Sequence, residues 1–463
     1  MVATSRKKWV RVAIILVVVY CVIGAGFGEL ANTAATEQGR FTWRLGAGIN
    51  SLVKGAPALP VPSGQFGVGR VAYHWIDASR SEPLSSQSGG RRELMVYVWY
   101  PVAKSKTDLK TAPYIDDFPS VQKVISETDL NDMFRPAPYS MIREAGLPRT
   151  HTVEGAKTAS WATARYPTLI FSHGWGNTTL LYTAELEELV SHGYVIAAVD
   201  HTYDTTFTVF PDNRVIQFAQ AVFDAETKKP GGYVNYAKAR AEVMAVDVRF
   251  VIDQLAVYNK RRSLGAPFAG HLDLRRIGAL GHSIGGLASV RACQIDPRIR
   301  ACVNQDSDVD DGAPFILTTP TGKKLDQPFL FFAVNADKFS PSVVNPTEEQ
   351  LDKMKLTRPE YDKIILRQQK VQNDALASVR GGSYRVILDL PSITHRSFSD
   401  LPLLAAGDDP TKTSDGLHNF QLVVAYTRAF FDKYLKRQKS ALLDQKSSID
   451  PKVRVDSFVP SLQ

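Results

Sequence analysis

Cysteine is nearly absent from this chain, with three in 463 residues. Cys21 falls inside an apolar run, which leaves Cys293 and Cys302 for the rest of the protein. Two cysteines in so large a body do not make the disulfide framework of a small secreted domain, and both read as small buried hydrophobes, with a disulfide between them as the alternative. Also missing is any Cys/His cluster at metal-ligand spacing, so no metal is expected. Charge is not concentrated: 55 basic residues face 47 acidic ones, and outside the N-terminus the longest basic run is Lys260-Arg261-Arg262. The excess of +8 is dispersed, which argues against nucleic acid as a partner. No internal repeat is present, and 44% hydrophobic with 22% charged residues excludes a disordered, collagen-like or polytopic membrane chain.

What is present begins with four basic residues, Arg6, Lys7, Lys8 and Arg11, followed by an uncharged apolar run over 12–28. A charged segment and then an apolar one is the pattern of an export signal, over about residues 1–35. No good small-residue cleavage site follows, so an uncleaved anchor and a cleaved signal peptide are both open. Either places the rest of the chain outside the cytoplasmic membrane, periplasmic or otherwise extracytoplasmic, tethered or secreted.

A first strand signal at 94–100 ends at Pro101. From Pro167 onward, short apolar runs alternate with amphipathic stretches, and those at 168–171, 194–199, 277–280, 301–303, 329–334 and 384–388 are nearly continuous in apolar residues, as strands buried on both faces should be. Between them Met244, Val248, Val251, Ile252 and Leu255 define one face of a helix, and a closing helix carries Phe420, Val423, Val424, Phe430, Phe431 and Leu435. The alternation predicts an α/β fold with a doubly wound, mostly parallel sheet over 36–435. Residues 103–165 carry prolines and aromatics without a period and read as a lid-like insertion, and 436–463 as a C-terminal tail on the surface.

Ligands of such sheets bind beyond the carboxyl ends of the strands. There the chain places Gly281, Ser283 and Gly285, a G-x-S-x-G pattern after one strand and before a helix-like stretch. The pattern is weak by itself, but strand, tight turn and helix is the context that lifts a serine hydroxyl clear of the sheet, making Ser283 the candidate nucleophile. Acyl transfer builds negative charge on the carbonyl oxygen and needs backbone N–H groups already aimed at it. The glycine-rich turn Phe171-Ser-His-Gly-Trp-Gly176 offers the N–H of Trp175, and Ile284 follows the nucleophile; His173 reads as structural in that turn. Among downstream histidines, His395 follows the strand at 384–388, whereas His418 stands before the closing helix, where it would cap it. The acid is open on residues alone: Asp306, with Asp308, Asp310 and Asp311 close behind, ends one strand, and Asp337 follows the next. Spacing slightly favours Asp337.

The chain resembles the platelet-activating factor acetylhydrolase family, plasma and intracellular type-two branch, and especially its bacterial relatives. The resemblance rests on ordered blocks: Gly64-Gln-Phe-Gly-Val-Gly69, Asp77-Ala-Ser-Arg80-Ser-Glu-Pro83, Ser191-His-Gly-Tyr-Val-Ile-Ala-Ala-Val-Asp-His201, Gly278-Ala-Leu-Gly-His-Ser-Ile-Gly-Gly286 and His395-Arg-Ser-Phe-Ser-Asp400. It implies the α/β-hydrolase fold, no metal and no organic cofactor, and a serine triad of Ser283, Asp306 and His395 with Trp175 and Ile284 as oxyanion donors. The family's acid lies on the strand after the nucleophile helix, which shifts the role to Asp306. The stretch 304–311 is far more acidic than the hydrophobic stretch that mammalian members carry there. The implied substrates are phospholipids with a short or oxidised sn-2 acyl group, met at a membrane surface. A general carboxylesterase, lipase or polyester-type hydrolase would share fold and triad. A serine peptidase and a membrane-tethered pseudo-hydrolase acting as a binding module are further alternatives.

Overall fold

The computed structural model describes residues 59–85, 89–104, 111–127, 147–159, 165–307, 324–334, 347–354, 356–405, 409–444 and 448–459. In chain order the elements are β1 (Gly67–Ser81), β2 (Arg91–Val102), α1 (Phe118–Glu127), β3 (Thr152–Glu154), β4 (Tyr166–Ser172), α2 (Thr183–Ser191), β5 (Val195–Asp200), β6 (Phe207–Val209), β7 (Val215–Gln217), α3 (Gln220–Thr227) and α4 (Gly232–Lys260). They continue with β8 (Leu272–His282), α5 (Ile284–Ile295), β9 (Ile299–Gln305), β10 (Phe329–Val334), α6 (Glu348–Met354), α7 (Arg358–Ala377), β11 (Ser383–Leu388), α8 (Leu401–Ala405), α9 (Pro410–Leu435) and β12 (Val453–Ser457).

One sheet runs β12-β11-β10-β9-β8-β4-β5-β2-β1-β3. From β11 to β5 neighbouring strands are parallel, and antiparallel pairs β5 with β2, β2 with β1 and β11 with β12 flank that block. Each strand read from the sequence is found. β4 shows why they lack alternation: all seven of its residues are buried, because both faces are covered. Leu169 and Phe171 pack on one side with Leu186 and Leu189 of α2 and Phe430 and Phe431 of α9. Ile170 packs on the other with α4 and α5, where Met244, Val248, Val251, Ile252 and Leu255 form the expected buried stripe.

Several expectations are corrected. β1 lies mostly within a stretch that shows no strand signal; it is half-exposed, and Gly67 and Gly69 interrupt its apolar pattern. Part of the C-terminal tail, β12, is an edge strand rather than a surface strap. Cys293 and Cys302 are buried but also disulfide-bonded, because α5 and β9 run back along each other and bring their Cα atoms to 6.6 Å across nine residues of sequence. His418 lies inside α9, which begins eight residues earlier at Pro410 behind the cap Asp409, whose carboxylate accepts from the N–H groups of Thr411 and Lys412. His418 pairs instead with Asp450 at 2.8 Å.

The export segment over 1–35 and much of the 103–165 insertion lie outside the described residues. Described parts of that insertion include β3, which joins the sheet edge beside β1. No helix among the described residues is long and apolar enough to cross a membrane.

Candidate active site

The sheet delivers the candidate residues to one edge, the carboxyl ends of the parallel strands. Ser283 sits between β8 and α5 with φ 55° and ψ −129°, a left-handed conformation that an L-residue adopts only when its surroundings impose it. They impose it by close approach: a Cβ at Gly285 would lie 2.1 Å from the Ser172 carbonyl oxygen, so only glycine lets α5 start this near β4. The Ser283 N–H donates to the Gln305 carbonyl at 3.0 Å, tying the turn to β9. Ile284 is the first residue of α5.

Asp306 follows β9 directly, also at positive φ (57°). Its Oδ2 lies 2.7 Å from His395 Nδ1, and its Oδ1 accepts from the Val334 N–H at 3.2 Å. Because a carboxylate only accepts, this contact places the imidazole proton on Nδ1 and leaves Nε2 as the acceptor. Asp306 is buried, whereas the His395 side chain is 35% exposed. Asp308, Asp310, Asp311 and Asp337 lie outside the described residues.

Residues that sequence reasoning missed tie these pieces together. His282, beside Ser283, has its ring 4.4 Å from that of His395 and stacks on Phe398. Burial, reinforced by His395, pushes the His282 pKa well below the usual range, so it stays neutral. Its Nδ1 lies 2.9 Å from the Tyr182 hydroxyl, which accepts from the Gly174 N–H at 3.1 Å and from Asn177 Nδ2 at 3.1 Å. With both of those groups donating, the Tyr182 proton goes to His282. One tyrosine thus links the glycine-rich turn to the histidine side of the site, and nothing in its sequence context marks it.

The turn after β4 lies against the nucleophile: a Cβ at Gly174 would meet Ser283 Cβ at 3.2 Å. Trp175 is the next residue. His173 is fully buried, and burial drives its pKa down to about 3. Its Nε2 accepts from the His201 N–H at 3.1 Å and its Nδ1 donates to the Gly174 carbonyl at 2.9 Å, so both nitrogens serve the backbone. Behind the turn is a second Ser-His-Asp arrangement: Ser172 Oγ is 3.1 Å from His201 Nε2, and His201 Nδ1 is 2.9 Å from Asp247 Oδ2. All three residues are sealed from solvent. Arg92 clamps Asp247 with Nη2 at 2.6 Å, and although burial alone would raise it, the Asp247 carboxyl is held below the usual carboxylate range by Arg92 and His201. Among the described residues no group of three or more His, Cys, Asp or Glu could hold a metal ion.

The fold is mixed α/β with a large, mostly parallel sheet, consistent with an α/β hydrolase. A sequence model of the family described as platelet-activating factor acetylhydrolase, isoform II, matches residues 53–218, which hold the Trp175 turn and stop short of Ser283. A probable 1-alkyl-2-acetylglycerophosphocholine esterase of Arthroderma benhamiae is 28% identical over 285 residues, 61% of this chain and 66% of the relative. The platelet-activating factor acetylhydrolase of Cavia porcellus is 23% identical over 312 residues, 62% of this chain and 61% of that one. The chain thus spans just under two thirds of the length of these curated relatives. Among solved structures, a ferulic acid esterase from Streptomyces cinnamoneus superposes with a TM-score of 0.61 at 27% identity, covering 86% of this chain and 99% of that one. By these matches the chain is similar, over part of its length, to the platelet-activating factor acetylhydrolase family.

Proposed function

We propose that the chain is a serine-dependent carboxylic ester hydrolase of the α/β-hydrolase fold. The observation that carries the reading is the 2.7 Å contact of His395 Nδ1 with Asp306, on the same sheet edge as Ser283 in its left-handed turn. Ser283 Oγ attacks the ester carbonyl while His395 Nε2 takes its proton. The N–H groups of Trp175 and Ile284 receive the oxyanion, and His395 returns the proton to the leaving alcohol. Water, activated by the same histidine, then releases the acyl group. Asp306 holds the imidazole tautomer and stabilises the imidazolium without itself taking the proton.

The substrate proposed is a phospholipid with a short or oxidised sn-2 acyl group, supported by the names of the curated relatives. The protein acts outside the cytoplasmic membrane and close to its surface. The basic-then-apolar start of the chain supports this, and so does the Cys293–Cys302 bond, which persists in oxidising compartments. A general carboxylesterase is the second reading, favoured by the near-complete coverage of the ferulic acid esterase.

Hydrolysis of a short-sn-2 phospholipid beside its long-chain counterpart, by wild type and Ser283→Ala, separates them. The phospholipid reading predicts Ser283-dependent release of the short acyl group and little turnover of the long one. Cleavage of nitrophenyl butyrate with neither phospholipid touched would leave the second reading.

A further inference from the structure

The loop that follows β5, residues 201–206, touches the Trp175 turn at each successive step. The His201 N–H donates to His173 Nε2 at 3.1 Å. The Trp175 indole Nε1 donates to Asp204 Oδ1 at 3.2 Å. Thr206 Oγ1 donates to the Gly176 carbonyl at 2.5 Å, and the Thr206 N–H to the Asn177 carbonyl at 3.2 Å. The loop is itself fastened from below. Arg92 Nη1 donates to the Thr202 carbonyl at 2.8 Å, Asp247 holds His201, and Arg240 grips Asp204 with Nη2 to Oδ2 at 2.6 Å and Nε to Oδ1 at 2.9 Å. His201, Asp204 and Thr206 are all buried. The Trp175 ring is also wedged among Phe223, Tyr233 and Tyr236 at centroid distances of 5.4–5.9 Å.

A turn whose side chain, carbonyls and preceding histidine are all held by one loop has little freedom to move its backbone N–H. Preorganised donors act only if they stay aimed where charge develops. We infer that Asp204 and Thr206 are positioning residues of the ester-hydrolysing reaction. Asp204, charged and fixed by Arg240, holds the Trp175 indole, Thr206 holds the Gly176 carbonyl, and between them the Trp175 N–H is kept on the oxyanion. The inference rests on the reading of Ser283 as nucleophile and adds residues that touch neither substrate nor the reacting atoms.

The test is steady-state hydrolysis of nitrophenyl butyrate by Asp204→Asn, Thr206→Val, Thr206→Ser and Ser283→Ala. It is paired with inhibition by a trifluoromethyl ketone, whose adduct carries the oxyanion. Misplacement of the donor predicts a fall of about ten- to a hundredfold in kcat for Asp204→Asn and Thr206→Val, with KM within about twofold. Ketone affinity should fall in parallel with kcat, the pH profile of kcat should keep its shape, and Thr206→Ser, which keeps the hydroxyl, should return to near wild type. Thr206→Val is nearly isosteric and guards against misfolding of Asp204→Asn. Wild-type kcat in folded Thr206→Val and Asp204→Asn, with Ser283→Ala inactive, would overturn the positioning role alone. Full turnover by Ser283→Ala would instead overturn the nucleophile assignment beneath it.

Discussion

Asp306 does two jobs with two oxygens, and they can be separated. Oδ2 faces His395 and Oδ1 accepts from Val334 N–H, so Asp306→Asn can keep the backbone contact while turning an amide toward the imidazole. An amide nitrogen there donates, which forces the ring proton to Nε2 and removes the acceptor that Ser283 needs. We expect kcat to fall about 10³- to 10⁴-fold with KM little changed, in a protein that unfolds at nearly the wild-type temperature. Loss of less than tenfold would return the acid role to a carboxylate such as Asp337. Ser283 and His395 were legible because each follows an apolar strand at a short, fixed distance. The acid was not, since two strand ends offer carboxylates and the choice depends on which lies next to the His395 loop. Tyr182 carried no signal, and His282 and His201 stood in blocks of the resemblance without a role attached: their places come from pairings across the fold, such as the contact of Tyr182 with His282, 100 residues apart.

Among the elements, α2 is unusual for a helix because it buries acids. Glu185 and Glu187 are covered, and the Asp400 carboxylate, beyond the His395 loop, accepts from the Ala184 N–H at the start of α2 and from the Tyr114 hydroxyl. Burial pushes Glu185 up to about 7 and raises Asp400 and Glu187 as well, so the group favours protonation. A folded-state pKa above the unfolded one stabilises fully below about 4.5 and loses that contribution as pH rises to about 7. At about 1.4 kcal/mol per pKa unit, Glu185 is responsible for a loss of the order of 3 kcal/mol across that window. Glu185→Gln keeps an oxygen for the Gln305 Nε2 donor at 2.7 Å and cannot ionise. Its melting temperature should exceed that of wild type by more at pH 8 than at pH 5, and equal gaps at both would show that Glu185 does not titrate there. Nothing in the sequence of α2 separates such acids from solvated ones, because their partners come from elsewhere: Gln305 of β9 for Glu185, and the His151 N–H and Thr152 hydroxyl for Glu187. The disulfide was left as an alternative to two buried thiols for the same reason: Cys293 and Cys302 meet only once α5 and β9 are packed. Closing so short a loop is worth about 3 kcal/mol in the chain-entropy account. Reductant should therefore lower the melting temperature of wild type and leave a Cys293→Ala/Cys302→Ala double variant unmoved.

At the scale of the whole molecule the parallel centre of the sheet was readable and its rims were not. Central strands announce themselves because both faces are buried, whereas β1 and β12 are half-exposed strands whose register is set by neighbours. β12 shows what such a rim is for. It pairs antiparallel with all but the first residue of β11, from Tyr384 with Ser457 to Leu388 with Val453. Arg385 fastens it through Asp456, with Nε at 2.9 Å. β11 is buried along its whole length, with Val386, Ile387 and Leu388 at its end, and it leads into the loop that carries His395. Without β12 it would present a row of unpaired backbone groups, a template for pairing with another chain. Deleting 448–463 should therefore give a protein that aggregates as its concentration rises, by light scattering, and that melts below wild type. Arg385→Gln, which keeps the strand and loses the ion pair, should lower the melting temperature without the aggregation. If the truncated chain stays monomeric, β11 is covered by something other than β12. If only the charge variant aggregates, the Arg385–Asp456 pair, rather than backbone pairing, guards the edge.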